Sequence, residues 1–565
     1  MPHHQHKGKK FETFVYNILN SPSKKIFVIV ATLLALVGSI MMLPTKTVVA
    51  RMLPGKSANT FNVYVTTPAG SSIEQTKKVS QCVVDRLMKE EEVTDIESFY
   101  AQGAPLDYAG LVKGSALKQG ERFAEIVVNL TDKHERAEKS FTMVHRLRPE
   151  IKDACGNIVK GTTISFIEMP SGPPTLASIA VEVYGLHNSE VLSIAHDVAK
   201  ILKQTPKLVD IDIMSETPYD KYQLIPLKDK IAKSGLSVEQ VNNILYLAFK
   251  GMDVAVKNTI ELNDQVGIFV ALSKDSRTLS NKGLKTLEAK LSSLYLMNKK
   301  GMMVPLTEIV DIIQIKSTPT IYHKDLRTMV NVTAETDMES QVYPLLEARE
   351  KMIEYFSTHG FEVKKAPGIS TYMFDLTLIN KKTGREFLLR WDGEMKVTLD
   401  TFRDLGAAFI AALILIYLLL VIYYKSFAIS GIVLAGSFLS IIGVIVGHWV
   451  ANLVTVDIFF LTATSLIGFI ALMGISSRNS LLLIDFAKSL MEEKGIEKRH
   501  AIAIASATRA KPIMLTAIAI ILGSALLASD PVFGGLGVAL ISGTVAAVIV
   551  SLIFIPVLMD NTKAI

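Results

Sequence analysis

Arg478 stands alone in the longest apolar run of the chain, FFLTATSLIGFIALMGISSRNSLLLIDFAKSL (459–490), beside Gly474, Ser476, Ser477 and Asn479. A guanidinium at membrane depth costs at least about 2.5–3.5 kcal/mol, so it should face protein or water and have a partner. It keeps its proton at any useful pH, so that partner should be an anion, most simply a carboxylate. No other apolar span carries an Asp or Glu except at its rim, and Asp485 lies seven residues beyond Arg478. The missing acid is therefore expected on another polypeptide. The alternative is that Arg478 snorkels toward the inner headgroups with Asp485 as its partner.

The elements that must hold this charge follow from composition. The chain has 565 residues, 49% hydrophobic and 20% charged, with mean hydropathy +0.33. That is too apolar for an ordinary soluble protein and predicts a membrane protein with a substantial part outside the bilayer. The net charge of +6 is read as an orientation signal, with no nucleic acid implied. Six segments can span: roughly 25–43, 405–424, 427–450, 459–488, 512–529 and 535–558. One span, a long gap and five clustered spans give a one-plus-five plan. Lys7, Lys9, Lys10, Lys24 and Lys25 precede the first span; Lys488, Lys494, Lys498, Arg499, Arg509 and Lys511 cluster between the fourth and fifth. Short basic loops stay in the cytoplasm, so both termini are expected inside and the long domain outside. The resulting boundaries are a cytoplasmic tail 1–24, a first helix 25–44, an external domain 45–402, a five-helix bundle 403–560 and a tail 561–565.

Smaller features have their own readings. Phe11, Phe14, Val15, Ile18 and Leu19 share one helical face, as in a helix lying on the inner leaflet. His3, His4 and His6 read as a solvated tail rather than a metal site. Cys82 and Cys155 lie where a disulfide is permitted, and their pairing is open. His448, beside Trp449, reads as part of an aromatic belt at the outer interface. Gly443 and Gly447 predict close helix packing.

The external domain reads as repeated strand–helix–strand units. TFNVYVTTP, the helix from Ile73 with Ser71 or Ser72 as cap and Glu74 as capping-box partner, RFAEIVVNLTD and KSFTMVHRLRPEIKD form the first. SIAVEVYG, the helix from Asn188 and LVDIDIM begin the second, which YQLIPL and SVEQVNNILYLAFKG extend. Residues 255–375 read as irregular and strand-rich, with VPLTEIVDI and TMVNVTAET the clearest strands; 376–400 is expected to return to the membrane. The fold class is thus an α-helical transmembrane bundle (six helices, one plus five) with a large α+β periplasmic domain of βαβ-type subdomains. Residues 101–120 form a Gly-rich loop. No G-x-S-x-G, H-E-x-x-H, C-x-x-C or Walker loop occurs, which disfavours a tethered hydrolase.

The one-plus-five plan and four phrases together resemble the C-terminal half of a resistance-nodulation-division (RND) efflux pump of the hydrophobe/amphiphile type. MLPTKTVVARMLPGKSANTFNVYVTTPAGSSIEQTKKV is similar to the stretch after the seventh helix of such pumps. GISSRNSLLLIDFAKSL, ATRAKPIMLTAIAIILGSALL and GVALISGTVAAVIVSLIFIPVLMD are similar to the tenth, eleventh and twelfth helices. The resemblance implies proton coupling by two acids on a fourth helix, in the half this chain does not match, facing Arg478, Arg509 and Thr516. Arg509 and Thr516 are seven apart, hence on one face if the helix runs through Pro512; Asp485 joins them as a candidate. Such pumps commonly carry Lys at the Arg478 position. The rigid fork of Arg suits bridging two carboxylates, and the departure leaves the substrate open.

The resemblance also implies a complementary N-terminal-half chain, trimeric assembly, a periplasmic adaptor, an outer-membrane channel and a place in the bacterial inner membrane. It implies no cofactor beyond the proton gradient and no enzymatic activity. Loop 101–120 corresponds to a loop that separates binding pockets, making Phe99, Leu106, Tyr108 and Leu111 candidates for contact with an apolar cargo. The other classes considered are a SecD/SecF-like translocation motor and a non-transporting scaffold.

Overall fold

The computed structural model describes residues 8–563 apart from 54, 56, 106–109, 112–114, 116–117, 169–171, 173–174, 259–264, 278–282, 339, 367–371 and 456–458. His3, His4 and His6 therefore lie outside the described residues. Helix α1 (Gly8–Leu19) leads into α2 (Pro22–Met41), with Pro22 in the first turn, where its missing N–H costs nothing. The apolar face of α1 is divided. Val15, Ile18 and Leu19 are buried in a core shared with residues of the bundle, while Phe14 is half exposed. Part of the apolar face of α1 is thus spent on the bundle, and Phe14 stays outside it.

The first subdomain is an antiparallel sheet of β1 (Thr60–Thr66), β2 (Val93–Tyr100), β3 (Phe123–Leu130) and β4 (Thr163–Ile167), in the order β2-β3-β1-β4. Helices α3 (Ile73–Leu87) and α4 (Ser140–Cys155) cover one face. Val79, Val83 and Leu87 of α3 and Met143, Val144, Leu147 and Ile151 of α4 meet Phe61, Val63, Ile126 and Val128 of the sheet. Each such side chain contributes on the order of 1.5–3 kcal/mol by leaving water. Ser72 caps α3, but the capping-box partner is Gln75, whose Oε1 accepts from the Ser72 N–H at 3.0 Å, in place of Glu74. Cys82 and Cys155 form a disulfide that ties α3 to α4.

The second subdomain is a seven-stranded sheet. Its strands are β5 (Ile179–Gly185), β6 (Leu208–Ile213), β7 (His323–Lys324), β8 (Arg327–Thr336), β9 (Phe361–Lys365), β10 (Leu376–Asn380) and β11 (Glu386–Asp392). The order is β7-β8-β5-β11-β10-β9, and β6 also pairs with β8. Helices α5 (Asn188–Lys203) and α6 (Val342–Thr358) pack on it through Val191, Ala195, Val198, Leu202, Leu345, Met352 and Phe356. Two expectations are corrected here. Residues 376–392 form two strands of this sheet, because Leu376, Leu378, Leu389 and Trp391 fill its core. YQLIPL and SVEQVNNILYLAFKG belong elsewhere.

They lie in a compact unit of their own, Glu216–Thr320. Its strands Asp220–Pro226 and Val310–Lys316 pair antiparallel, and Ile231, Val241, Leu245, Leu287, Leu291 and Leu306 form its core. VPLTEIVDI is not one strand: Met303–Pro305 and Val310–Lys316 are separated by a helical turn, Leu306–Ile309.

The chain then enters the bundle: α7 (Glu394–Tyr424), α8 (Phe427–Phe438), α9 (Ile441–Val454), α10 (Ala463–Lys494), α11 (Lys498–Ala528) and α12 (Gly534–Ile549). A π-helical turn, Val550–Phe554, joins α12 to α13 (Ile555–Asn561). With α8–α9 and α12–α13 each counted as one span, six helical segments among the described residues are long and apolar enough to cross a membrane. Helix α12 packs against α9, α10 and α11. The contact with α9 is close: a Cβ on Gly443 would lie 2.4 Å from the Ser542 carbonyl oxygen, and one on Gly447 2.1 Å from Ser542 Oγ. The two glycines pack helices as expected.

Candidate functional site

Arg478 sits near the midpoint of α10, fifteen residues after Ala463 and sixteen before Lys494. The S-S-R-N-S cluster around it splits by helical phase. Ser476, Ser477, Asn479 and Ser480 are buried in the bundle, whereas Arg478 is exposed. The serines pack helices: Ser477 Oγ lies 2.8 Å from Ser437 Oγ, and Ser476 Oγ donates to the Gly436 carbonyl at 3.3 Å. They do not line a polar niche for the guanidinium. Among the described residues Arg478 has no hydrogen-bond or ion-pair partner.

Asp485 is also exposed, about 10 Å further along α10 at 1.5 Å per residue. Its partner is Tyr424, whose hydroxyl donates to Oδ1 at 2.7 Å. Helix α11 runs unbroken through Pro512, so Arg509 and Thr516 do share one helix. The Arg509 guanidinium lies 4.9 Å from the Phe486 ring centre, and its Nε is buried with no partner among the described residues. Thr516 is exposed; its hydroxyl donates back to the Pro512 and Ile513 carbonyls at 3.0 and 2.9 Å. The four candidates thus lie on two helices, and the structure shows no ion pair joining them.

His448 is a correction. It is fully buried: its Nδ1 lies 2.7 Å from the Val444 carbonyl and its Nε2 2.8 Å from Ser465 Oγ. The ring turns into the bundle because Val444 and Ile445 of the same helical face are core. Trp449, one residue on, carries the exposure instead.

In the large α/β domain the two sandwich subdomains meet at a cleft. It is lined by Tyr64, Lys118, Ser165, Asp210, Asp212 and Glu335 among others. Loop 101–120 contributes Lys118, whose Nζ lies 3.7 Å from Asp212 Oδ2 and 4.7 Å from the Tyr64 ring centre. Burial holds that ammonium below the usual lysine range, against the pull of Asp212. The loop's ends are pinned, since the Gly120 N–H donates to the Ala101 carbonyl at 3.0 Å. Buried Glu125 accepts from the Ala104 N–H at 2.7 Å. Of the cargo-contact candidates, Leu106 and Tyr108 lie outside the described residues. Leu111 is exposed, Phe99 half-buried, and neither lines the cleft.

Beside the cleft stands an ionic wall that reaches it at Asp210. Arg148 of α4 is 4% exposed. Its NH1 donates to Asp337 at 2.7 Å, its Nε to Asp210 at 3.2 Å, and its NH2 lies 3.7 Å from Glu168. Burial pushes the Glu168 carboxyl up to about 7, opposed by Arg148 and reinforced by Glu335. Its side chain still exposes 38%, so solvent screens part of that effect. Sequence reading missed this wall, though one signal was present. Arg148 falls in phase with Val144, Leu147 and Ile151, on the core face of α4.

The chain matches the model of the AcrB/AcrD/AcrF family over residues 4–359 and 373–560. It is 22% identical over 583 residues to the multidrug export protein AcrF of Escherichia coli strain K12, covering 98% of this chain and 50% of that protein. It is 24% identical over 386 residues to the swarming motility protein SwrC of Bacillus subtilis strain 168, covering 67% of this chain and 32% of the relative. A crystal structure of a heavy metal efflux pump superposes with TM-score 0.71 at 18% identity, over 98% of this chain and 52% of that one. The chain spans about half the length of AcrF, and about half that of the pump structure. Matched across nearly all of its length, the chain belongs to the AcrB/AcrD/AcrF family of RND efflux transporters.

Proposed function

We propose that this chain is a subunit of a proton-driven export pump, and that a second chain, the counterpart of the N-terminal half, supplies the proton-binding acids. The observation that carries this is Arg478: a permanent cation at mid-helix, exposed on the bundle and without a partner among the described residues. A lipid-facing guanidinium is costly, so the face holding Arg478 is a seam to be covered. Thr516 on α11 and Asp485 on α10 are exposed as well. In the closed seam Arg478 is a fixed counter-cation that holds two carboxylates ionised. A proton arriving on one of them releases the fork. Arg478 keeps its own proton throughout and relays none.

The cargo is proposed to be a small amphiphilic molecule. This is supported by the export and multidrug-resistance names of relatives such as AcrF and the MdtC protein of Proteus mirabilis. The large domain is placed outside the inner membrane by the basic loops, and the disulfide is consistent with an oxidising compartment. Trimeric assembly, an adaptor and an outer channel complete the proposal. Nothing in the family match or the fold supports the translocation-motor alternative.

The test is proton-coupled export in proteoliposomes holding this chain together with its partner chain. Arg478→Ala should abolish export, and Arg478→Lys should retain part of it with an altered pH profile. Unchanged export in both variants would leave a non-transporting scaffold as the better reading; antiport by this chain purified alone would remove the need for a partner.

A further inference from the structure

Strand β6 carries an anomaly that transport by Arg478 does not use. Asp210 has φ +53°, in the left-handed region where a non-glycine residue is strained. It lies at an irregularity in the β6–β8 ladder, where the register shifts between Thr333 and Glu335. The bulge aims the Asp210 side chain out of its own subdomain. Its carboxylate, with no solvent-exposed surface, accepts from Arg148 Nε at 3.2 Å, from Lys152 Nζ, and from the backbone N–H of Phe166 at 3.1 Å. All three donors belong to the first sandwich: Arg148 and Lys152 to α4, Phe166 to β4. Asp337, just past β8 of the second sandwich, accepts from Arg148 NH1 at 2.7 Å and lies 2.7 Å from His145 Nδ1. Asp212, two residues beyond Asp210, receives Lys118.

We propose that Asp210 is the clasp of the cleft: a strained residue whose buried carboxylate holds the two sandwiches together and sets how far the cleft opens. Several facts converge on it. The two sandwiches have separate hydrophobic cores, so the polar bonds at Asp210 are a principal tie across the seam. The bonds that cross at Asp210 are charge-assisted, and those from Arg148 and Phe166 are buried, hence strong while paired and costly when broken; Lys152 remains partly exposed. An aspartate tolerates the left-handed region better than most residues, but a β-strand offers cheaper conformations. The strain is sustained by the bonds it permits. Release of Arg148 and Lys152 removes the reason for the bulge, which makes the clasp a two-position device rather than a soft spring.

The inference concerns the width of the cleft and stands whether or not Arg478 couples protons. It is tested on the full chain in lipid nanodiscs with a reporter cysteine at Ser165, which lines the cleft and is 9% exposed. The readout is its labelling rate by a charged, membrane-impermeant maleimide. Asp210→Asn keeps the backbone conformation and removes the charge; Asp210→Gly removes the strain and the carboxylate together. Both should raise the rate about tenfold or more, the population shift expected from losing a buried charged hydrogen bond. Far-UV circular dichroism should stay unchanged. Should either variant unfold, Arg148→Gln/Lys152→Gln withdraws the donors from the other side and should give the same acceleration. A labelling rate within twofold of the parent in a folded variant overturns the proposal.

Discussion

Replacing Arg478 by leucine should change the stability of this chain in opposite directions according to what covers it. In the chain alone the guanidinium is exposed at mid-helix, about 22–24 Å from either end of α10. Removing it relieves an insertion cost of at least about 2.5–3.5 kcal/mol and leaves an apolar side chain in its place. Beside two carboxylates of a partner chain the same change leaves buried anions without a counter-charge, which costs on the order of 3–5 kcal/mol. The two effects lie roughly 5–9 kcal/mol apart and have opposite signs. The assay is denaturant unfolding in lipid vesicles of wild type and Arg478→Leu, each alone and each co-purified with the partner chain. Stabilisation alone and destabilisation in the complex is the expected pair. A variant that is less stable alone means that Arg478 already has a favourable partner within this chain. A variant equally stable in the complex means that no acid meets it. Either result defeats the argument from the exposed cation.

Cys82→Ser/Cys155→Ser, which opens a cross-link spanning 73 residues, should lose about 4 kcal/mol of stability by chain entropy, read as a lower Tm that added reductant reproduces in the wild type. Gly447→Ala, whose Cβ would lie 2.1 Å from Ser542 Oγ, should cost about 1–3 kcal/mol in denaturant unfolding, and Ser542→Gly in the same background should restore most of it. Because burial raises the Glu168 carboxyl to about 7, the folded state binds more protons than the unfolded one between its ordinary value of 4.5 and 7. Its contribution to stability is thus present below pH 4.5 and lost as the pH rises to 7. Glu168→Gln should flatten the Tm–pH curve in that window, by a modest amount since solvent reaches the carboxylate.

The spans were legible because hydrophobic length is a local property: a helix needs about 20 apolar residues to cross, and the chain displays them one stretch at a time. The first sandwich was legible for a similar reason, since Phe61, Val63 and Val65 alternate while Val79, Val83 and Leu87 recur at helical spacing. The second was not. Its sheet is assembled from segments on either side of Glu216–Thr320, and nothing local in LVDIDIM says that its partner is Arg327–Thr336, over a hundred residues away. Leu376–Asn380 and Glu386–Asp392 were mistaken for the approach to the membrane because they are apolar and precede a span. Their burial comes from α5 and α6, which only the fold brings over them.

The site shows the same division more sharply. Arg478 could be found from sequence because its anomaly is energetic: one permanent charge among residues that exclude charge. What surrounds it could not. Ser476 and Ser477 stand beside it in the chain, yet a helix turns 100° per residue and carries them away from it, against Gly436 and Ser437. His448 misled for the converse reason. It lies at the end of an apolar span next to Trp449, where an interfacial ring is expected, but helical phase puts it inside with Val444 and its neighbour outside. Both errors come from reading adjacency as company. Corrected for phase, the serines strengthen the functional argument: they account for the buried side of α10 without Arg478. That leaves the guanidinium on a face no described residue of this chain satisfies, which is the face the proposed partner chain would cover.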